Sequence, residues 1–113
     1  MNTEDLIVQR PAMPSRLVLL FHGVGSSASD LAPLGAALAP HLPDAVIVSA
    51  QAPEPAGRGW QWFSVLGITE ADRPARVARA LPGFVQTVQR WQAATALTPA
   101  QTTLIGFSQG AIM

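Results

Sequence analysis

The chain has 113 residues, enough for one domain at most. Apolar residues make up 49% and charged residues only 12%, which argues against a disordered chain and calls for a buried core. Seven basic residues, all arginine, balance seven carboxylates, and there is no cysteine. Composition therefore gives no basis for a nucleic-acid binder, a disulfide framework or a thiolate metal site.

The first residues, Met1-Asn2-Thr3-Glu4-Asp5, are polar and acidic. They lack the basic start and long apolar segment of a secretory leader. The longest strongly apolar run, residues 17–21, is far too short to cross a bilayer. These features predict a cytoplasmic protein without stable membrane insertion. Leu6-Ile7-Val8 reads as a short edge strand, closed by Pro11 and Pro14. Leu17-Val18-Leu19-Leu20-Phe21 is apolar without alternation, as suits a strand buried on both faces of a parallel sheet. It leads into His22-Gly23-Val24-Gly25. A helix is predicted next, with Ser29 or Asp30 as N-cap, Pro33 in its first turn, and Leu31, Leu34 and Leu38 on one face. Pro40 and Pro43 end it, and Ala45-Val46-Ile47-Val48-Ser49 is the next strand.

Residues 51–67 read as a loop, rich in proline and glycine and carrying Trp60, Trp62 and Phe63. A second helix is predicted from Thr69 or Asp72 to about Ala96, with an apolar stripe of Leu81, Phe84, Val85, Val88 and Trp91. Pro82 should kink it. Arg73, Arg76, Arg79 and Arg90 lie mostly off that stripe and read as a solvated face, with an anion site as the alternative. Thr98-Pro99 turns the chain into a last strand, Thr102-Thr103-Leu104-Ile105, and then Gly106-Phe107-Ser108-Gln109-Gly110.

Strands alternating with helices imply parallel βαβ units. In open sheets of that kind chemistry collects beyond the carboxyl ends of the strands. The glycine turn at residues 22–25, the start of the tryptophan loop and Ser108 all fall there. A serine between a strand and a helix, with glycine two residues before and two after, fits a nucleophile elbow. The turn is strained so that the hydroxyl stands clear, and a Cβ at either glycine would collide with the neighbouring element. The serine also precedes a helix N-terminus, which favours developing negative charge. In acyl transfer that charge falls on the carbonyl oxygen, and backbone N–H groups are the natural donors to it. Gln109, the residue after the serine, and Val24, in the glycine turn, are the candidates.

These stretches resemble the phospholipase/carboxylesterase-type α/β-hydrolases, the group that includes bacterial carboxylesterases and acyl-protein thioesterases. The likeness rests on Leu20-Phe21-His22-Gly23-Val24-Gly25, on Trp62-Phe63 followed by Gly67-Ile68-Thr69, and on residues 105–110. It spans the chain from about Leu17 onward. It implies an α/β-hydrolase fold, a mostly parallel sheet with helices on both faces. It also implies a serine hydrolase without metal or cofactor, whose partner is a small-molecule ester or thioester, lysophospholipids included. Ser108 would be the nucleophile, and the N–H groups of Val24 and Gln109 the oxyanion hole. Trp62 and Phe63 would line the substrate pocket, although aromatics in such a loop also serve to pin it to the core. Many relatives carry Asp where this chain has Ser26 and Gly where it has Ala111, differences that bear on substrate rather than on reaction.

The triad of this fold runs Ser, then Asp or Glu, then His along the chain. Neither an acid nor a histidine follows Ser108. His22 is expected to brace the glycine turn, and His41 to be exposed between prolines. Asp30, Asp44 and Asp72 fall at helix caps or strand starts. Residues 1–113 therefore read as the N-terminal part of one hydrolase domain, ending just after the elbow and inactive alone. Two other readings compete. A non-catalytic binding or assembly module on the same fold would account for the unfinished triad. Gly23-Val24-Gly25-Ser26-Ser27-Ala28 also fits the G-x-G-x-x-A of dinucleotide-binding domains, but the following strand ends Ser49-Ala50-Gln51, without the acidic residue that would hold a ribose.

Overall fold

In the computed structural model, which describes residues 4–113, the chain opens with β1 (Leu6–Gln9) and β2 (Arg16–Phe21). Met1, Asn2 and Thr3, the start of the polar N-terminal stretch, lie outside the described residues. Helix α1 (Ala28–Leu38) and a short 3-10 turn lead to β3 (Ala45–Ala50). A small antiparallel hairpin follows, β4 (Glu54–Ala56) and β5 (Gly59–Gln61). Helix α2 (Arg73–Thr95) then returns the chain to β6 (Thr102–Gly106), and α3 (Gln109–Ile112) adds one helical turn.

The main sheet has the order β1-β3-β2-β6. Strands β3, β2 and β6 run parallel, and β1 adds antiparallel to the outside of β3 with an irregularity between Ile7 and Gln9. Side chains of a strand alternate between faces, and both faces here are covered. Leu17, Leu19 and Phe21 of β2 join Val46 and Val48 of β3 on one face, where α2 lays Val77, Ala80, Phe84, Val88 and Trp91 against them. Val18 and Leu20 join Ala45 and Ile47 on the other, under Leu31 and Leu38 of α1. This two-faced burial explains the unbroken apolar runs. The architecture is the α/β-hydrolase plan of a mixed, mostly parallel sheet between helices.

Several local expectations change. Ser27, not Ser29 or Asp30, caps α1, its hydroxyl accepting the Asp30 N–H at 3.2 Å. The earlier start is supported from outside, because Gln51 Oε1 accepts the Ala28 N–H at 2.6 Å. Pro33 consequently lies beyond the first turn. Leu34 is exposed, and Gly35 takes the closest position over Leu20 and Ile47. On α2, Leu81 and Val85 are also exposed; the inward stripe is set by Val77 and Ala80 instead. Asp72 holds the N-cap position, but its carboxylate accepts the Thr69 N–H at 2.7 Å rather than capping α2. That bond, helped by Arg76, holds the Asp72 pKa below the usual carboxylate value. Pro82 lies inside the continuous helix, which ends near Ala96 as expected, the φ of 58° at that residue closing it. The 51–67 loop is not wholly irregular, since it contains the hairpin.

Candidate functional site

The turn after β6 carries the least ordinary backbone in the chain. Ser108 has φ 54° and ψ −117°, a conformation that costs a non-glycine residue about 1–3 kcal/mol. Two close approaches hold it there. A Cβ on Gly106 would come within 2.5 Å of the Ala111 backbone, and one on Gly110 would strike the Phe21 carbonyl. Phe107 N–H donates to that same carbonyl at 2.9 Å. The turn is thus locked to the end of β2, and Ser108 is left exposed at the carboxyl edge of the sheet.

The 22–25 stretch continues β2 directly beneath this turn. A Cβ on Gly23 would lie 3.2 Å from Ser108 Cβ, so the two segments touch. His22 is fully buried, and its partners define its tautomer. Nε2 accepts the Ala52 N–H at 3.1 Å, which leaves the proton on Nδ1, donated to the Gly23 carbonyl at 2.7 Å. Burial pulls its pKa below the ordinary histidine value, against the opposing pull of the Gly23 bond. The imidazole braces the turn and faces no solvent. On the far side the hairpin supports the same turn. Gly25 N–H donates to the Trp60 carbonyl at 2.9 Å, and Trp60 N–H to the Ser26 carbonyl at 2.8 Å. The approach is so close that a side chain on Gly59 would collide with the Gly25 carbonyl.

Gln109 works with both of its ends. It is 3% exposed. Its Oε1 accepts the Trp62 N–H at 2.7 Å, and its Nε2 donates to the Phe63 carbonyl at 2.8 Å. The side chain thereby clamps the aromatic loop to the serine turn. Sequence reasoning assigned Gln109 only a backbone role. The paired donor and acceptor of an amide beside a bare loop was the signal available, and it has meaning only once the two segments are adjacent. Trp62 is pinned as well. Its ring packs edge-on against Phe21 and Phe84, and Nε1–H donates to the His22 carbonyl at 2.8 Å.

Val24, Ser108 and Gln109 line one pocket of about 130 Å³, with Phe63, Val65, Ile68 and Ile112 supplying apolar surface and Arg73 the only charge. Phe63 therefore reaches the serine pocket, whereas Trp62 belongs to the core and does not. Two larger clefts, of about 430 and 360 Å³, lie along α2; Trp62 lines both and Phe63 the larger, and Ser108 lines neither. The N–H groups of Val24 and Gln109 have no acceptor among the described residues. Free N–H donors beside a hydroxyl are suited to binding an oxyanion. Neither histidine can serve the serine as a base. Both nitrogens of His22 are occupied, and His41 lies in a shallow site with Arg16 and Ala45, at the amino ends of β2 and β3.

A family profile described as Phospholipase/Carboxylesterase matches residues 2–113. Esterase YpfH of Escherichia coli (strain K12) is 47% identical over 116 residues, which cover all of this chain and 50% of that protein. The crystal structure of esterase PE8 is similar with a TM-score of 0.84 and 34% identity, over 98% of this chain and 54% of the other. A carboxylesterase from Mesorhizobium loti shares the fold with a TM-score of 0.68 at 24% identity, over 85% of this chain and 44% of the other. The chain thus spans about half the length of the curated relative.

Proposed function

Because the chain belongs to the phospholipase/carboxylesterase family, we propose that it supplies the nucleophile and oxyanion donors of a serine carboxylesterase. The carrying observation is the strained Ser108, close to two N–H groups that have no acceptor among the described residues. Ser108 Oγ attacks the ester carbonyl carbon, and the carbonyl oxygen becomes an oxyanion between the Val24 and Gln109 N–H groups. Each such donor contributes about 3–4 kcal/mol to the transition state. The tetrahedral intermediate collapses, the alcohol leaves with a proton, and the acyl group remains on Ser108. Water then attacks the acyl-enzyme and restores the hydroxyl.

Proton transfer at Ser108 needs a general base. We assign that role to a histidine, oriented by a carboxylate, in the half of the relatives' length that this chain does not match. Phe63, Val65, Ile68 and Ile112 would receive a short acyl group. Assay of the full-length gene product on p-nitrophenyl butyrate tests the reading, together with labelling by a fluorophosphonate and peptide mass mapping. Turnover and labelling should both vanish in Ser108→Ala. A label on another residue, or an alanine variant with undiminished turnover, would refute it.

A further inference from the structure

We propose that Arg73 makes this site selective for esters whose acyl portion ends in an anionic group such as a carboxylate. The inference rests on the esterase reading above and extends it to substrate class. Among the described residues Arg73 is the single charged one lining the Ser108 pocket, which is otherwise mostly apolar. Its backbone is fixed as the first residue of α2, with its N–H donating to the Thr69 carbonyl at 3.0 Å. Its side chain is exposed and makes no hydrogen bond or ion pair among the described residues.

The neighbouring charges show why it stays free. Asp72, adjacent in sequence, is committed to Thr69 and to Arg76, whose guanidinium also donates to the Ser64 carbonyl at 2.6 Å. Glu70 is exposed and forms no ion pair with Arg73. Arg90, further along α2, pairs with Asp5 at 3.1 Å. Arg76 and Arg90 are thus spent on structure, whereas Arg73 lines the pocket and pairs with no carboxylate among the described residues.

A guanidinium is charged at every working pH and grips a carboxylate through two parallel N–H donors. Phe63 and Ile68 supply apolar surface for the carbon chain between the ester and the anion. These 113 residues carry zero net charge, so the attraction they offer an anion is local to Arg73 rather than a general field. The pocket is small, about 130 Å³. That fits a short spacer between the ester carbonyl and the anion, as in a half-ester of a small dicarboxylic acid.

The test compares monomethyl glutarate with methyl 5-methylhexanoate, in which an isopropyl group replaces the carboxylate at the same spacing. Both are assayed by methanol release with the full-length protein. Arg73→Gln should lower kcat/KM for the anionic ester by roughly ten-fold or more, chiefly through KM. The neutral ester should stay within about two-fold, and Arg73→Lys should recover part of the loss. Equal losses on both esters, or none on either, would overturn the proposal. Binding of monomethyl glutarate to Ser108→Ala, measured by calorimetry with and without Arg73→Gln, separates it from the esterase reading. If wild type hydrolyses neither these esters nor p-nitrophenyl butyrate, yet this binding depends on Arg73, the anion site stands and the esterase reading falls. Binding indifferent to Arg73 removes the anion site, whatever the turnover.

Discussion

Replacing Gln109 by leucine keeps the side-chain size but removes both ends of the clamp. Trp62 N–H and the Phe63 carbonyl then lose their partners. Trp62 and Phe63 are only 4% and 5% exposed, so water cannot readily take over. A buried polar group left unsatisfied costs about 1–3 kcal/mol, which puts the two together at roughly 2–6 kcal/mol. The apolar leucine offsets part of this, and the expected net loss is about 2–4 kcal/mol. Against a typical total of about 5–15 kcal/mol, such a loss is plain in equilibrium urea unfolding. Gln109→Glu sharpens the test. An ionised carboxylate can still accept from Trp62 but has no proton for Phe63, so two oxygens face each other. Burial and that repulsion raise the folded-state pKa of the new acid. Its deficit relative to wild type should therefore be small below about pH 4.3 and grow as pH rises through the folded value. A leucine variant within about 0.5 kcal/mol of wild type, or a glutamate deficit flat across pH, would refute the clamp.

Two further outcomes are expected. Ser108→Gly relieves the strain at φ 54° at the cost of about 0.5–1 kcal/mol in chain entropy, so it should melt above Ser108→Ala; identical melting temperatures would mean the turn is unstrained. His22 should remain neutral to pH values below 6.5 and hold its proton on Nδ1, as read from ¹⁵N chemical shifts. Because its folded-state pKa is lowered, the stability it contributes is present above 6.5 and falls away as pH drops below that value. A titration midpoint at or above 6.5 would contradict its burial between Ala52 and Gly23.

The parts of the fold legible in the sequence were those fixed locally. Residues 17–21 and 45–49 announce strands because burial on both faces removes any polar alternation. Gly106 and Gly110 announce the serine turn because their fixed spacing about Ser108 is visible in sequence, although Gly110 is required by the distant Phe21 carbonyl. Less could be read where a neighbour distant in sequence decides the outcome. Ser26, Ser27, Ser29 and Asp30 can all cap a helix, and the choice of Ser27 is supported by Gln51. The hairpin is hidden by Pro55 within β4, and its value lies in the approach of Gly59 to Gly25. Leu81 and Val85 keep helical spacing with Phe84 and Val88, so periodicity could not tell which edge of the stripe turns inward. The freedom of Arg73 follows from where Asp72 and Arg76 spend their charges, which no spacing rule records.

The docking of Gly110 and Phe107 onto the Phe21 carbonyl also fixes an order of events. Leu17 pairs with Thr102 across nearly the whole chain, so β6 can seat only after a long loop has closed. Until it does, nothing holds Ser108 at a positive φ, and the residue relaxes to an ordinary conformation. The strain is a late product of folding, maintained by contacts of high sequence separation. A chain emerging from the ribosome thus carries a relaxed serine, whose positive φ appears only when β6 locks beside β2.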